Sequence, residues 1–245
     1  MTERPIPFRD WEVLATLKGD KTQARRVMKV QPPADAVVTV EHFNQTVIDR
    51  HGDMQPGPGI FGAHWYDGEY GCRCPYGAPG DTLWVREAWR AWSQYDDLPP
   101  SRLPLGVDVQ YTADASAPWA SRYRSPRFMP RWASRITLRI EDVRVERLQD
   151  ISEDDARAEG CEARPFPGPR WQGYRDLGDG ELFHQQAVGE TPPDWMIEPK
   201  KMPPTPWLDR SARDGFRSIW MSLHRPGAWD DNPWVWVIEF ERVKP

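Results

Sequence analysis

Cysteine is scarce in this chain. The three residues, Cys72, Cys74 and Cys161, are too few and odd in number for a disulfide framework, which points to a reducing compartment. No apolar run approaches the length that spans a bilayer, and the first residues lack the apolar core of a signal peptide. A cytoplasmic protein with no membrane partner is therefore expected. Surplus positive charge is also missing. The net charge is −5, which argues against a broad face for long duplex DNA yet leaves room for a local basic site. There is no Gly-rich phosphate loop, no nucleophile elbow and no His-x-x-x-His zinc helix. Cys72-Arg73-Cys74 has C-x-C rather than C-x-x-C spacing and no clear second pair, so no metal is expected. Nothing in the sequence calls for a cofactor.

Tryptophan and proline are abundant instead, at 14 and 26 residues. The prolines predict long irregular segments between short elements. The tryptophans supply large pieces for a core and stacking surfaces for bases. Two Pro/Trp-rich stretches, at about 31–79 and 162–209, read as insertions in a single domain covering 1–245. Within the first, Val37 to Val40 and Phe43 to Ile48 suggest a hairpin, whereas Gln55 to Gly62 reads as loop.

Around these insertions the periodicities are clearer. Asp10 to Lys18 is a short helix with Asp10 as its cap and Gly19 as its stop. Thr82 to Trp89 is a strand, and Val107 to Tyr111 alternates as another. Ser134 to Leu148 is the longest strand pattern. Ile136, Leu138 and Ile140 hold one phase while Val143 and Val145 hold the other, which predicts a bulge near Glu141-Asp142. Ser152 caps a short helix that ends at Gly160. Ser211 opens an amphipathic one, with Phe216, Ile219, Trp220 and Leu223 on one face. Trp234 to Arg242 is a closing strand. The fold class expected is α+β, a small, partly open β-barrel flanked by short helices.

Two segments concentrate chemistry. Gly19 to Val27 places Lys21, Thr22, Arg25 and Arg26 directly after the first helix. Gly80 to Glu87 is its acidic counterpart, with Leu83, Val85 and Glu87 on the face expected to point inward. A lone buried carboxylate is costly or shifts its pKa upward, so Glu87 needs a partner, and Lys21 is the natural one. A third segment, 122–132, interleaves Arg122, Arg124, Arg127 and Arg131 with Tyr123, Phe128 and Trp132, and Trp119 lies just ahead of it. It reads either as a rim for single-stranded nucleic acid or as a loop anchored to the core by its aromatics.

The run Gly19-Asp20-Lys21-Thr22-Gln23-Ala24-Arg25-Arg26 fits the G-x-K-x-x-x-x-R signature of the ASCH family in the PUA-like superfamily. Gly80-Asp81-Thr82-Leu83-Trp84-Val85-Arg86-Glu87 and Asn232-Pro233-Trp234-Val235-Trp236-Val237 agree with it in order and character. The chain resembles the ASCH-like proteins carried by bacteriophages and prophages. The resemblance implies a PUA-type barrel with a cleft that binds a nucleoside, a modified base or short single-stranded RNA. It assigns nucleotide contacts to Thr22, Arg25, Arg26, Arg86 and Trp84. Some relatives are amidohydrolases acting on N4-acetylcytidine, and others are ribonucleases. The catalytic positions carried over from the amidohydrolases are Lys21, Ala24 and Glu87. Ala24 stands where those relatives have a threonine nucleophile, so this chain lacks the hydroxyl. The alternatives are then a binding module, an active nucleoside amidohydrolase or ribonuclease, and a phage assembly or host-interaction protein.

Overall fold

The computed structural model describes residues 2–66, 68–114, 121–161, 170–176, 182–188, 197–201, 211–225 and 227–243. Its elements run β1 (Glu3–Pro7), α1 (Asp10–Lys18), β2 (Gln23–Val27), β3 (Thr39–Ile48), β4 (Met54–Trp65), β5 (Tyr70–Arg73) and β6 (Thr82–Arg86). There follow β7 (Trp89–Ala91), β8 (Val109–Tyr111), β9 (Thr137–Arg147), α2 (Glu153–Ala158), β10 (Arg170–Asp176), β11 (Leu182–Val188), β12 (Ile197–Lys201), α3 (Ala212–Leu223) and β13 (Trp234–Val243). The chain is a mixed α+β protein, as expected. It divides into two compact units: Met1–Ile151 with Ala158–Gly160 and Trp229–Pro245, and Ser152–Arg157 with Cys161–Ala228. Among the described residues no helix is long and apolar enough to cross a membrane.

The larger unit is built on a five-stranded sheet of order β1-β6-β9-β13-β2. β1 runs parallel to β6, and the other neighbours are antiparallel. Its buried side chains include Ile6, Leu83, Val85, Leu138, Ile140, Trp236 and Ile238, which pack with Phe8 and Val13 into one core. The sheet is open. Among the described residues no ladder joins β1 to β2, so the sheet does not close into a barrel, where a small, partly open one was expected. The predicted bulge is present: Glu239 pairs with Asp142 and Phe240 with Ile140, leaving Glu141 as the extra residue. It lets Ile140 and Val143 both face the core, because the slip resets the two-residue alternation.

α1 forms where the pattern predicts it, with a different cap. Asp10 is already helical. The preceding residue, Arg9, is the N-cap, and its N–H donates to Glu12 Oε2 at 2.9 Å. Glu12 supplies the acceptor for an otherwise orphaned donor, so Asp10 is free to begin the helix. Gly19 closes the helix with a left-handed φ of 92°.

Gln55 to Gly62, expected as loop, is part of β4, the centre of a β3-β4-β5 antiparallel sheet. The glycines and prolines that suggest a turn have other uses here. A side chain at Gly62 would fall on the carbonyl oxygen of Cys72, so pairing with β5 requires the bare backbone. Pro56 lies in the stretch paired only with β3, where its missing N–H removes no bond on the β5 side.

The smaller unit holds the antiparallel sheet β11-β10-β12 and α3. The second expected insertion, 162–209, lies largely outside the described residues, as does Trp119. Ser152 caps its helix as predicted. Its Oγ accepts from Asp155 N at 3.0 Å, and Asp155 Oδ2 accepts from Ser152 N at 3.3 Å. Ser211 likewise accepts from Asp214 N at 3.1 Å, and Phe216 and Trp220 form the buried stripe of α3.

Candidate functional site

The Gly19 to Arg26 segment folds into a buried ion network. After the turn at Gly19, Lys21 pairs with Glu159 as an isolated antiparallel bridge, and Thr22 N donates to Ala158 O at 2.8 Å. Gly160 makes this approach possible. Its φ is +86°, and a Cβ there would lie 2.9 Å from Ala15 Cβ and 3.3 Å from Lys21 Cβ. Lys21 Nζ donates to Glu159 Oε2 at 2.7 Å and to Glu159 O at 3.0 Å, with Glu12 Oε1 at 3.8 Å. Arg25 reaches Glu146 at 2.9 Å and Glu159 at 3.5 Å. Arg26 reaches Glu12 at 3.2 Å and also donates to the carbonyls of Arg25 and Pro7.

Each motif cation thus faces a carboxylate, and three cations are matched by Glu12, Glu146 and Glu159. Burial pushes the Glu12 carboxyl upward, but Arg26 and Lys21 beside it prevail and hold it below its ordinary value. Lys21 and Arg25 are enclosed, and neither Arg25 nor Arg26 is left as an uncompensated charge for a phosphate. The expected Lys21–Glu87 pair is not formed. Thr22 is exposed, but its backbone is tied on both sides, to Ala158 O and to Phe240 N.

Glu87 has a different partner. It is completely buried, as its strand phase predicts, and Arg135 clamps it with Nε at 3.0 Å and Nη2 at 2.9 Å. Arg135 also binds Asp114 and lies 3.9 Å from the Tyr111 ring centre. Burial raises the Glu87 pKa, the Arg135 bonds oppose it, and Asp114 and Asp10 add to the rise. A bidentate Arg pair of this kind fixes a strand end against its neighbours. Ala24 is a fully buried core methyl opposite Ile238 on β13. The three carried-over catalytic positions therefore have a methyl and two separately committed charges.

Replacing Ala24 with threonine should create no amidohydrolase. It should instead destabilise the chain by about 1–3 kcal/mol, the cost of a hydroxyl buried without a partner. Chemical unfolding and a cytidine-release assay on the variant check both halves.

Trp84 and Arg86 are also occupied with each other. Trp84 is buried, with the Arg86 guanidinium 4.6 Å and that of Arg131 5.9 Å from its ring centre. Arg86 Nη1 donates to Arg127 O at 3.2 Å. With its ring buried under two guanidinium groups, Trp84 is a poor platform for a base.

The segment that does open a site is 122–128. It forms one wall of a cleft of about 670 Å³, and Asp97 to Ser101 form the other. Both walls sit on a second core of Trp84, Trp89, Leu103 and Met129, with Leu98 and Tyr95 packed against it. Arg124 fastens them together. Its backbone exchanges two bonds with Trp89, at 3.1 and 2.9 Å, and its guanidinium donates to Tyr95 O at 2.7 Å and Leu98 O at 3.0 Å. Burial lowers the Arg124 pKa, and the charge of Asp96 opposes that shift.

Once Arg124 is committed to the wall, the neighbours on either side are left for the cleft. Tyr123 and Phe128 are 52% and 59% exposed, large values for aromatic rings on a well-braced loop. Arg122 contributes its backbone N–H to Asp96 Oδ1 at 2.9 Å, and its guanidinium makes one long bond, Nη1 to Asp96 O at 3.4 Å, with no ion pair among the described residues. Aromatic faces beside an exposed guanidinium that has no carboxylate partner are the elements of a stacking site for bases with a phosphate contact.

No family model, curated protein or solved structure matches the chain.

The sequence marked out 122–132 but not the facing wall, 97–101, or the joint between them. The joint is Arg124, a cation that bonds only carbonyl oxygens across the gap, and no periodicity signals such a bond. Glu159 and Arg135, the true partners of Lys21 and Glu87, were missed for a similar reason: they lie 138 and 48 residues away along the chain.

Proposed function

We propose that this chain is a nucleic-acid-binding module of ASCH/PUA-like kind that holds a nucleobase or a short single strand of RNA in the 97–101/122–128 cleft. The observation that carries the reading is the pair of exposed rings, Tyr123 and Phe128, beside Arg122 on the lining of that cleft. Every base has a π face, so two such rings accept a strand with little regard to sequence. The cleft volume, about 670 Å³, falls within the range that nucleoside-sized ligands occupy. A net charge of −5 repels long polyanions and confines attraction to a local cation, which favours a short strand over a duplex.

The family resemblance enters through the motif residues alone. In this reading Lys21, Arg25 and Arg26 brace β2 and α1 through their carboxylates, and the bent β9 with the mixed sheet serves as an open PUA-like scaffold. Binding without hydrolysis fits Ala24, which offers no nucleophile.

Fluorescence anisotropy with a labelled octanucleotide tests the proposal. The single strand should bind roughly tenfold more tightly than the matching duplex. Arg122→Ala should weaken binding to all sequences alike and flatten the slope of log affinity against log salt by about 0.7, the loss of one single-strand phosphate contact. Equal affinity for strand and duplex, or an unchanged slope, would count against it.

A further inference from the structure

A second cavity lies at the junction of β1, β5 and the turn before β6, on the same unit as the aromatic cleft. Its volume is about 190 Å³, and Thr2, Arg4, His42, Arg73, Gly77 and Asp81 are among its lining residues. That is below the range of nucleoside-sized sites, and enough for one small oxyanion with water.

The charges around it do not cancel locally. Among the described residues Asp81 is the only acid on its lining, and both of its oxygens are already used. Oδ1 accepts from Thr2 N at 2.7 Å, and Oδ2 accepts from Thr2 Oγ1 at 2.6 Å and Ala78 N at 3.3 Å. Arg4 has one long bond, Nη1 to Pro75 O at 3.4 Å, while its Nε is enclosed without an acceptor. Arg73, at the end of β5, is exposed, and its guanidinium has no ion pair or hydrogen bond among the described residues. The His42 ring packs on Phe61, with centroids 5.1 Å apart, and its nitrogens bond to no described residue. Two guanidinium groups and an imidazole with unused donors therefore share a small polar cavity with a satisfied carboxylate.

We propose that this cavity binds a phosphate group. Guanidinium forks match the oxygens of a tetrahedral oxyanion, and a buried donor without an acceptor gains most from acquiring one. Free phosphate and a phosphate monoester present the same chemistry. The site involves neither Tyr123 nor Phe128, so it stands apart from the base-stacking cleft.

Thermal unfolding of the full chain tests this, in millimolar phosphate against chloride at matched ionic strength. Phosphate should raise the midpoint by about 3 °C or more, through its preference for the folded state. Arg73→Ala, at an exposed position, should unfold in chloride like the wild type and lose the phosphate-specific rise. Arg4→Gln should reduce that rise, and Arg50→Ala, in the β3-β4 turn, should keep it. Phosphate also stabilises proteins generally by exclusion from their surface, and the Arg73→Ala midpoint measures that background. Glycerol 3-phosphate, which carries no base, separates the two sources. A rise with both compounds assigns the site to phosphate esters as well, and a rise with inorganic phosphate alone assigns it to the free ion. Equal midpoints in phosphate and chloride, or the same rise in Arg73→Ala, would overturn the proposal.

Discussion

Replacing Glu159 with alanine should lower the free energy of unfolding by about 3–5 kcal/mol, the usual cost of removing one partner of a buried ion pair. Lys21 Nζ would lose its 2.7 Å partner and keep Glu12 at 3.8 Å, one carbonyl, and the Phe8 and Trp11 rings at 5.7 and 5.5 Å. Arg25 would lose its contact with Glu159. Water cannot make up the difference, because the Lys21 and Arg25 side chains are fully enclosed. The pair itself is worth far less than its rupture, since both charges were desolvated to form it. Lys21→Met combined with Glu159→Leu should therefore recover most of the loss. Urea unfolding of the single and double variants gives the comparison. A single-variant loss below about 1 kcal/mol would mean that the network is solvated, as surface ion pairs are.

Removing the two exposed rings should abolish most RNA binding while leaving the fold intact. Stacking of a base on an aromatic side chain contributes about 1–3 kcal/mol, so Tyr123→Ala and Phe128→Ala should each weaken affinity about 5- to 150-fold. Because about half or more of each residue is already exposed, truncation removes little core packing. The double variant should retain the wild-type unfolding midpoint. Arg124→Ala provides the contrast. It removes the bonds to Tyr95 O and Leu98 O that hold the walls, so it should lower stability and affinity together. Affinity of the ring variants within about twofold of wild type would exclude stacking as the source of binding.

Local periodicity made much of the fold legible. α1 with its Gly19 stop, the long β9 with its bulge, the capped α2 and the apolar stripe of α3 are all patterns read over a few residues. β4 was hidden because Pro56, Gly59 and Gly62 carry turn propensities that strand pairing overrides. The burial of Glu87 was also readable, from its phase with Leu83 and Val85. Its partner was not, because Arg135 and Lys21 are equally good cations on paper and only the tertiary path of β9 decides between them. The motif residues illustrate the same limit. A cluster of Lys21, Arg25 and Arg26 suggests an anion site until Glu12, Glu146 and Glu159 arrive from three other elements to neutralise it.

The central claim is that RNA contacts the 122–128 wall and that the Gly19 to Arg26 segment is an internal brace. Ultraviolet crosslinking of a uridine-rich octanucleotide to the full chain, followed by mass spectrometry of the peptides, locates the contact directly. Crosslinks should fall at Tyr123 and Phe128 and disappear in the double alanine variant. Crosslinks concentrated between Lys21 and Arg26, surviving in that variant, would contradict the account.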